Sequence, residues 1–589
     1  MAGLLTAQAP DTLKEVTIVA DRGMVVSRTD TVRTCNSVSV TDAFAPIPGA
    51  CIMDNGGPAG LKTVSLRGMG SPHTAIYIDG IRVGNAQSGQ TDLGMIDMGN
   101  TEGVIIDYAQ NSISFNTAKP VFAGRRTGGH IRFRGGSFGT CEPSGRLDFK
   151  LSESVSLSAT ASGVIARGDF PLPDGSRRLN NDIRQIRAGL DSWGIINGGD
   201  WHAKAYYNGA ERGTPGTLSF PSTDRQNDRN AFLQGLVHKW FSPKYALHAS
   251  AKLSRDNLTY RSRWGESFYR QTGFQLNTAH RFVIGERAGA SIAAVLGRDG
   301  LDSDSYNASR TWVLATASAS FNPERFKAVF TLEYAGIFDR DALQRNILSP
   351  AIDLRWNALK GFDIIAFARR AYRTPTFNEL YYPGYGNPSL KAEDAWLTDI
   401  GIEYDCRPDR RWRIHLKADG FYNHLKNKII SVPTVQDPNI WQPYNIGVVR
   451  MSGADIKYSA NYTGSILKGG FSVSYSYQNA IDKTPGSYTF GEQIPFISRH
   501  TAVLGADTLC KGWSVGITWS LRAGRFDSSG RMPDYNTLDI TAGKTIGLPG
   551  NLALELKIMA RNLTGCRYSL AQGYPMPGRA FYGEIDLKF

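Results

Sequence analysis

The sequence predicts an all-β chain, either a transmembrane barrel or a soluble β-protein, preceded by a shorter region of strands and hairpins. No run of about 18 uninterrupted apolar residues occurs in its 589 residues, which excludes helical membrane spans. Two-residue alternation marks the later part. Phe471, Val473, Tyr475 and Tyr477 alternate with Ser, and Leu552, Leu554, Leu556 and Ile558 alternate with Ala, Glu, Lys and Met. At the end, Phe581, Gly583, Ile585, Leu587 and Phe589 fall on one face, with Tyr582, Glu584, Asp586 and Lys588 on the other. Strands that are apolar outside and polar inside average to a mildly polar chain, and the mean hydropathy is −0.28.

The composition supports one continuous body. Sixty-three Gly, 25 Tyr, 27 Phe and 11 Trp are spread throughout, without a Pro/Ser-rich hinge or low-complexity block. The aromatics suit interfacial girdles and a soluble β-protein alike. A formal charge of +13 raises the question of nucleic acid, but the basic residues are dispersed among strands and turns rather than gathered with aromatics on one face. Solvated lumen and loops, or contact with anionic lipid headgroups, account for them. Six cysteines at 35, 51, 141, 406, 510 and 566 show no CxxC spacing, which argues against zinc and redox motifs. Cys35 and Cys51 are spaced to pair in an oxidising compartment or to stand as single buried thiols.

Along the chain, residues 1–9, MAGLLTAQA, read as the tail of a signal peptide with an A-x-A cleavage site, the mature chain starting near Pro10. Residues 10–22 place Val16, Ile18 and Ala20 on one side of an extended segment, which by itself is an ordinary first strand. Val64, Leu66, Ile76, Ile78 and Ile81 then supply the apolar side of short strands. Asp79-Gly80 is the dipeptide a two-residue hairpin requires, because Gly tolerates positive φ. Glu102 to Tyr108 reads as a further strand, and His130 to Arg134 as another of this region or the first of the barrel.

The segments Leu66-Arg67-Gly68 and Ile78-Asp79-Gly80-Ile81-Arg82-Val83 resemble the plug domain of TonB-dependent outer-membrane receptors. Asn562-Leu563 and the stretch Gly573 to Arg579 resemble the ending of their barrels. The resemblance implies an all-β transmembrane barrel of 22 antiparallel strands with an N-terminal α+β plug in its lumen, in the outer membrane of a Gram-negative bacterium. It implies transport without covalent chemistry, driven by TonB and its inner-membrane complex. The expected divisions are 10–22 for a Ton box and linker, 23–130 for the plug and 131–589 for the barrel. That leaves about 21 residues per strand and connection, with short loops and a span of roughly 9–11 residues. The Ton box pattern falls on Leu13, Glu15, Val16, Thr17, Ile18, Val19 and Ala20, a segment that would add to a sheet edge of TonB. The chain departs from the family at Asp107-Tyr108-Ala109-Gln110-Asn111, where relatives carry Arg-Gly-Pro and a Tyr-Gly turn, so the local plug geometry there is an open question.

The apical loop Gly84 to Leu93 resembles that of the family's cobalamin transporters, matched at Ser88, Gly89, Asp92 and Leu93. Its Asn85, Gln87, Ser88, Gly89, Gln90 and Thr91 would hydrogen-bond an amide-fringed corrinoid. A catecholate siderophore, concentrated in negative charge, would favour several Arg or Lys, which the loop lacks. Tyr372 to Leu390 resembles the family's "FRAP…NPxL" boxes, with Tyr381, Tyr382, Tyr385 and Asn387 as candidates to meet a flat ligand. No His lies between Arg373 and Leu390 to ligate haem iron. No cofactor is required. Structural calcium is the candidate ion for Asp169, Asp174, Asp182, Asp224 and Asp228, although Arg177, Arg178, Arg225 and Arg229 are interleaved and available to pair with them. Outer-membrane lipids and a surface lipoprotein that captures substrate are further expected partners. The alternatives are a ferric siderophore receptor and, from another class, a plugged barrel serving as an adhesin or signalling receptor. Gly135-Gly136-Ser137-Phe138-Gly139 matches G-x-S-x-G, but a nucleophile elbow needs a following helix, and strand-like sequence follows here.

Overall fold

The computed structural model describes residues 29–33, 39–122, 124–434, 437, 440–527 and 530–589. A small α+β domain comes first: β1 (Thr29–Arg33), α1 (Val40–Phe44), β2 (Ala50–Asp54), β3 (Lys62–Leu66), β4 (Ala75–Ile78), β5 (Ile81–Val83), β6 (Thr101–Asp107) and β7 (Ser112–Thr117). One sheet runs β1-β6-β7-β4-β5, with β4 and β7 parallel, and β2 pairs with β3 as a separate hairpin. At Asp79 φ is 51° and at Gly80 it is 80°, the double positive φ of a type I′ turn, and Ile78 faces Ile81 across it. Asp79 secures the turn by accepting from the backbone N–H and hydroxyl of Thr117, both at 2.7 Å. Phe44, Leu66, Val104, Ile106, Ile113 and Phe115 form the centre of this domain, and Phe367, Leu397, Leu425 and Met451 of the surrounding wall extend the same core.

Around it, twenty-two antiparallel strands close into a barrel, beginning with β8 (Thr127–Gly136) and β9 (Thr140–Lys150). His130 to Arg134 therefore belongs to the barrel. The ring is sealed by Ala580–Lys588 lying against β8, where Ile585 faces Phe133 and Glu584 faces Arg134. Alternation explains the wall. On Gly265–Ile284, Phe274, Leu276, Phe282 and Ile284 face outward and are exposed, while Asn277 points inward and donates to Ser250 at 2.7 Å. Ile131, Leu190, Leu233, Leu253, Phe330, Ile400, Phe471 and Ile558 are likewise exposed round the ring. A continuous outward apolar band of this size is a lipid-facing surface and distinguishes a membrane barrel from a soluble β-protein.

The two rims differ. Residues 197–198, 243–244, 360–361 and 511–512 make tight turns on one, whereas 167–182, 374–392, 483–499 and 562–579 make longer connections on the other. Short turns mark the periplasmic side of such barrels and longer loops the extracellular side. Strands of 22 and 23 residues, Pro221–Ser242 and Trp441–Thr463, exceed the expected span, so much of the outer rim is continued strand rather than loop.

The plug is fastened to the wall by Arg67, whose backbone has φ of 49° just beyond β3. Its guanidinium pairs with Asp399 at 2.7 Å, Asp455 at 3.1 Å and Asp419, carried on three different strands. The departure from the family at residues 107–111 closes with Asn111 in the left-handed region (φ 48°) and brings Tyr108 beside this cluster, its hydroxyl donating to the Pro48 carbonyl at 2.8 Å. Cys51 is a free thiol, raised by burial above its ordinary pKa; Cys35 lies outside the described residues.

Candidate ligand-binding site

The type I′ turn delivers the chain through β5 into the loop Gly84 to Leu93. This loop is folded by its own groups. The Asn85 side-chain oxygen accepts from the Ser88 N–H at 2.9 Å, and its carbonyl accepts from the Gly89 N–H at 2.8 Å. Gly89 has φ of 71°, and a Cβ there would lie 2.7 Å from the Thr376 methyl, so the position requires glycine. The carbonyls of Ala86 and Gln87 accept from the N–H groups of Phe377 (2.9 Å) and Asn378 (3.1 Å), which open α2 (Phe377–Tyr381) in the long connection 374–392. Thr376 caps that helix, accepting from the Glu379 N–H at 3.1 Å. Plug apex and outer loop are thus joined by main-chain hydrogen bonds.

Asn85, Ser88, Gln90 and Thr91 form one side of a cavity of about 500 Å³ between plug and wall. Its other side comes from wall strands the sequence did not single out and from the long connection 562–579. Tyr206 and Phe232 stack at 5.1 Å, and Gln271 and Tyr574 add an amide and a phenol. The Tyr206 hydroxyl donates to the Met95 carbonyl at 2.6 Å. The charges are internally paired. Arg212 reaches Asp92 at 2.7 Å and Asp228 at 3.0 Å, Lys252 donates to the Arg82 carbonyl at 3.1 Å, and Asp256 accepts from Asn230 at 2.9 Å. Burial would raise the Asp92 carboxyl, but Arg212 and Lys62 outweigh it and hold the group below the usual range. A larger cavity of about 1160 Å³ lies along another side of the plug, with Asp42, Met98, Arg187, Asp539 and Tyr582 on its walls.

The expected ligand residues divide. Gln87 is buried, its N–H donating to Gln271 at 3.2 Å, and serves the latch rather than the cavity edge. Tyr381, Tyr382, Tyr385 and Asn387 do not line the cavity. Tyr381 packs on Phe377, Tyr382 meets Tyr306 edge-on at 6.0 Å, Tyr385 hydrogen-bonds Ser431 at 2.6 Å, and Asn387 donates to the Pro443 carbonyl at 3.0 Å. The boxes flanking them fold into a capped helix in which Phe377 and Leu380 are buried, while Tyr382 just beyond it is exposed.

The five aspartates expected to hold calcium are not brought together. Asp169 pairs with Arg177 at 3.1 Å, Asp182 with Arg225 at 2.7 Å and Asp228 with Arg212. Asp174 caps Ser176 at 3.0 Å, and Asp224 accepts from the Tyr260 hydroxyl at 2.7 Å. Of the interleaved arginines, Arg177 and Arg225 take two of these charges, and Arg212 of a neighbouring strand takes a third. Among the described residues, a group of three metal-type donors occurs at Asp79, Asp191 and His202, and Lys204 already sits there, 2.9 Å from Asp191. Gly135 and Gly136 end β8 and Ser137 to Gly139 form the turn into β9, with Ser137 accepting from the Phe581 N–H at 2.9 Å, an arrangement without a nucleophile elbow. Leu13, Glu15, Val16, Thr17, Ile18, Val19 and Ala20 lie outside the described residues.

A 22-stranded barrel with a latched plug and a cavity at the plug apex defines a gated receptor for a small ligand. Residues 144–563 match the family model "TonB dependent receptor-like, beta-barrel", and residues 20–120 match "TonB-dependent Receptor Plug Domain". The chain belongs to the TonB-dependent receptor family. It is 22% identical to the vitamin B12 transporter BtuB of Vibrio vulnificus over 94% of this chain and 90% of that protein. It is 21% identical to the BtuB of Photobacterium profundum, with the same coverage. In fold it is similar to the FrpB iron transporter from Neisseria meningitidis (F3-3 variant; TM-score 0.78, 14% identity, 96% of this chain and 99% of that one). It is also similar to the copper transporter OprC (TM-score 0.77, 14% identity, 95% and 99%).

Proposed function

We propose that this TonB-dependent outer-membrane transporter imports cobalamin or a related corrinoid. One observation carries the reading. The cavity at the plug apex is edged by the amide and hydroxyl groups of Asn85, Ser88, Gln90 and Thr91 and backed by the stacked Tyr206–Phe232 pair, and its carboxylates outnumber its cations. Asp92, Asp228 and Asp256 face Arg212 and Lys252, so the cavity repels a polyanionic ferric catecholate and offers hydrogen-bonding groups to one edge of a neutral, amide-fringed ring that extends beyond it. The distant likeness to B12 transporters is consistent with this. Cargo contact would loosen the latch between Ala86, Gln87 and α2, and that change would signal through the plug to the Ton box, where TonB would bind and pull.

Isothermal titration of the purified, detergent-solubilised chain tests the cargo. Cyanocobalamin should bind at micromolar concentration or tighter, while haem and a catecholate siderophore should not. Siderophore binding without cobalamin binding would overturn the assignment.

A further inference from the structure

A second binding surface lies on the outside of the barrel. Arg229, Arg255 and Arg298 are exposed and share the outward face with Leu233, Leu253 and Leu296 of the lipid-facing band. Each stands at the edge of that band toward the long-loop rim. They share one level. Arg255 faces Ala231, two residues past Arg229, while Arg298 faces Phe274, which faces Leu253, which faces Leu233, four residues past Arg229. Strands about 4.8 Å apart and tilted about 40° drop roughly one residue per strand at constant height. Four residues over three strands is therefore a level line.

The neighbouring charges are accounted for. Just above, Arg270 pairs with Asp302 at 3.5 Å; to one side, Glu211 pairs with Arg225 at 3.3 Å. Asn257 stands opposite Arg229 and Thr272 opposite Arg255, so the patch presents polar neighbours and no carboxylate of its own. Among the described residues, the side chains of Arg229, Arg255 and Arg298 have no salt bridge, and each is long enough to lie along the apolar wall with its guanidinium at the headgroup level. Three fixed cations there attract anionic lipid. Their being arginine selects phosphate, whose oxygens the guanidinium fork grips two at a time.

We infer that Arg229, Arg255 and Arg298 form a site for a phosphate-bearing lipid headgroup of the leaflet at the long-loop rim, with Arg229 and Arg255 on adjacent strands holding one phosphate between them. The site rests on the membrane reading and is independent of the cargo.

The test is native mass spectrometry of the full chain in detergent with diphosphoryl lipid A, its dephosphorylated form, and inorganic phosphate. The wild type should retain diphosphoryl lipid A at least tenfold better than the dephosphorylated lipid. The triple variant R229Q/R255Q/R298Q should lose that preference while keeping its heat-modifiable mobility on gels. The control R287Q/R325Q, at the short-turn rim, should keep it. Equal retention by the triple variant, or equal binding of the dephosphorylated lipid, would overturn the site. Free phosphate competing at the lipid's own concentration would reduce it to a small-anion site and overturn the lipid assignment.

Discussion

Tyr108 lies over the guanidinium of Arg67, with the Arg67 Cζ 4.4 Å from its ring centroid, and Phe421 of the wall covers the other face at 4.5 Å. The cation is therefore sandwiched between plug and barrel while three carboxylates hold its edge. Removing it with Arg67→Ala should cost about 3–5 kcal/mol, because buried carboxylates would be left facing one another. Arg67→Lys should recover only part, since a point charge cannot span three partners. Thermal unfolding of the purified variants checks both; an unchanged midpoint in Arg67→Ala would contradict the role.

The cavity prediction separates the residues that line it from those that do not. Replacing Gln87–Gln90 by two glycines should weaken cyanocobalamin binding at least tenfold, each lost buried partner contributing on the order of 1–3 kcal/mol. Tyr574→Ala should weaken it as well, whereas Tyr385→Ala should leave it within twofold, its hydroxyl being engaged with Ser431. Titration calorimetry ranks the three.

Coupling should be separable from binding. In the proposed coupling, Val16→Pro or Ile18→Pro removes a main-chain donor from the segment expected to add to a sheet edge of TonB. Either should abolish uptake into cells while surface binding of labelled cobalamin stays at the wild-type level.

At the seam, the Gly129 and Phe589 main chains exchange two hydrogen bonds of 3.0 Å. Deleting Phe589 should lower the amount of heat-modifiable barrel in the outer membrane several-fold. Lys588→Gln should have little effect, because the exposed Lys588–Glu555 pair at 2.7 Å contributes on the order of 1 kcal/mol or less. Quantitative blotting of unheated and heated samples measures the difference.

Burial pushes the Asp54 carboxyl up to about 6, against the pull of Lys62. A pKa raised on folding means that the folded chain holds the proton more tightly, so this group's contribution weakens as pH rises from about 4 through 6. The plug of the wild type should lose stability relative to Asp54→Asn across that window, by about 3 kcal/mol for a shift of roughly two units. Unfolding midpoints at pH 4.5, 6 and 7.5 should show the gap; parallel curves would contradict it.

Much of this fold was legible because a barrel in lipid has only one solvent on each face, which imposes a period of two on every strand; Phe581 and Ile585 are exposed and Glu584 and Asp586 buried, as their alternation predicts. The Asp79-Gly80 turn was legible because its backbone demand is local. The cavity was half legible. Asn85, Ser88, Gln90 and Thr91 sit in one recognisable loop, but Tyr206, Phe232 and Gln271 are assembled by register and strand tilt, which leave no local mark, and Tyr574 reaches them from the separate connection 562–579. The tyrosines at 381, 382 and 385 stand outside this cavity, and in sequence a dense aromatic run looks the same whether it faces a ligand or packs on a helix–loop unit. The five aspartates stand apart because acidic and basic residues alternate in those loops, and sequence alone does not say which neighbour each carboxylate will choose.

The barrel seam joins Arg134 to Glu584 across 450 positions of chain, and the domain enclosed by the ring precedes both. This sets an order of events in time. The wall is a hoop that shuts only when its last strand meets its first, and the chain of the domain it encircles has been made before either. A completed ring without its plug would leave an ungated hole in the cell envelope. The stability of the small domain on its own is therefore a matter of membrane integrity as well as of cargo selection.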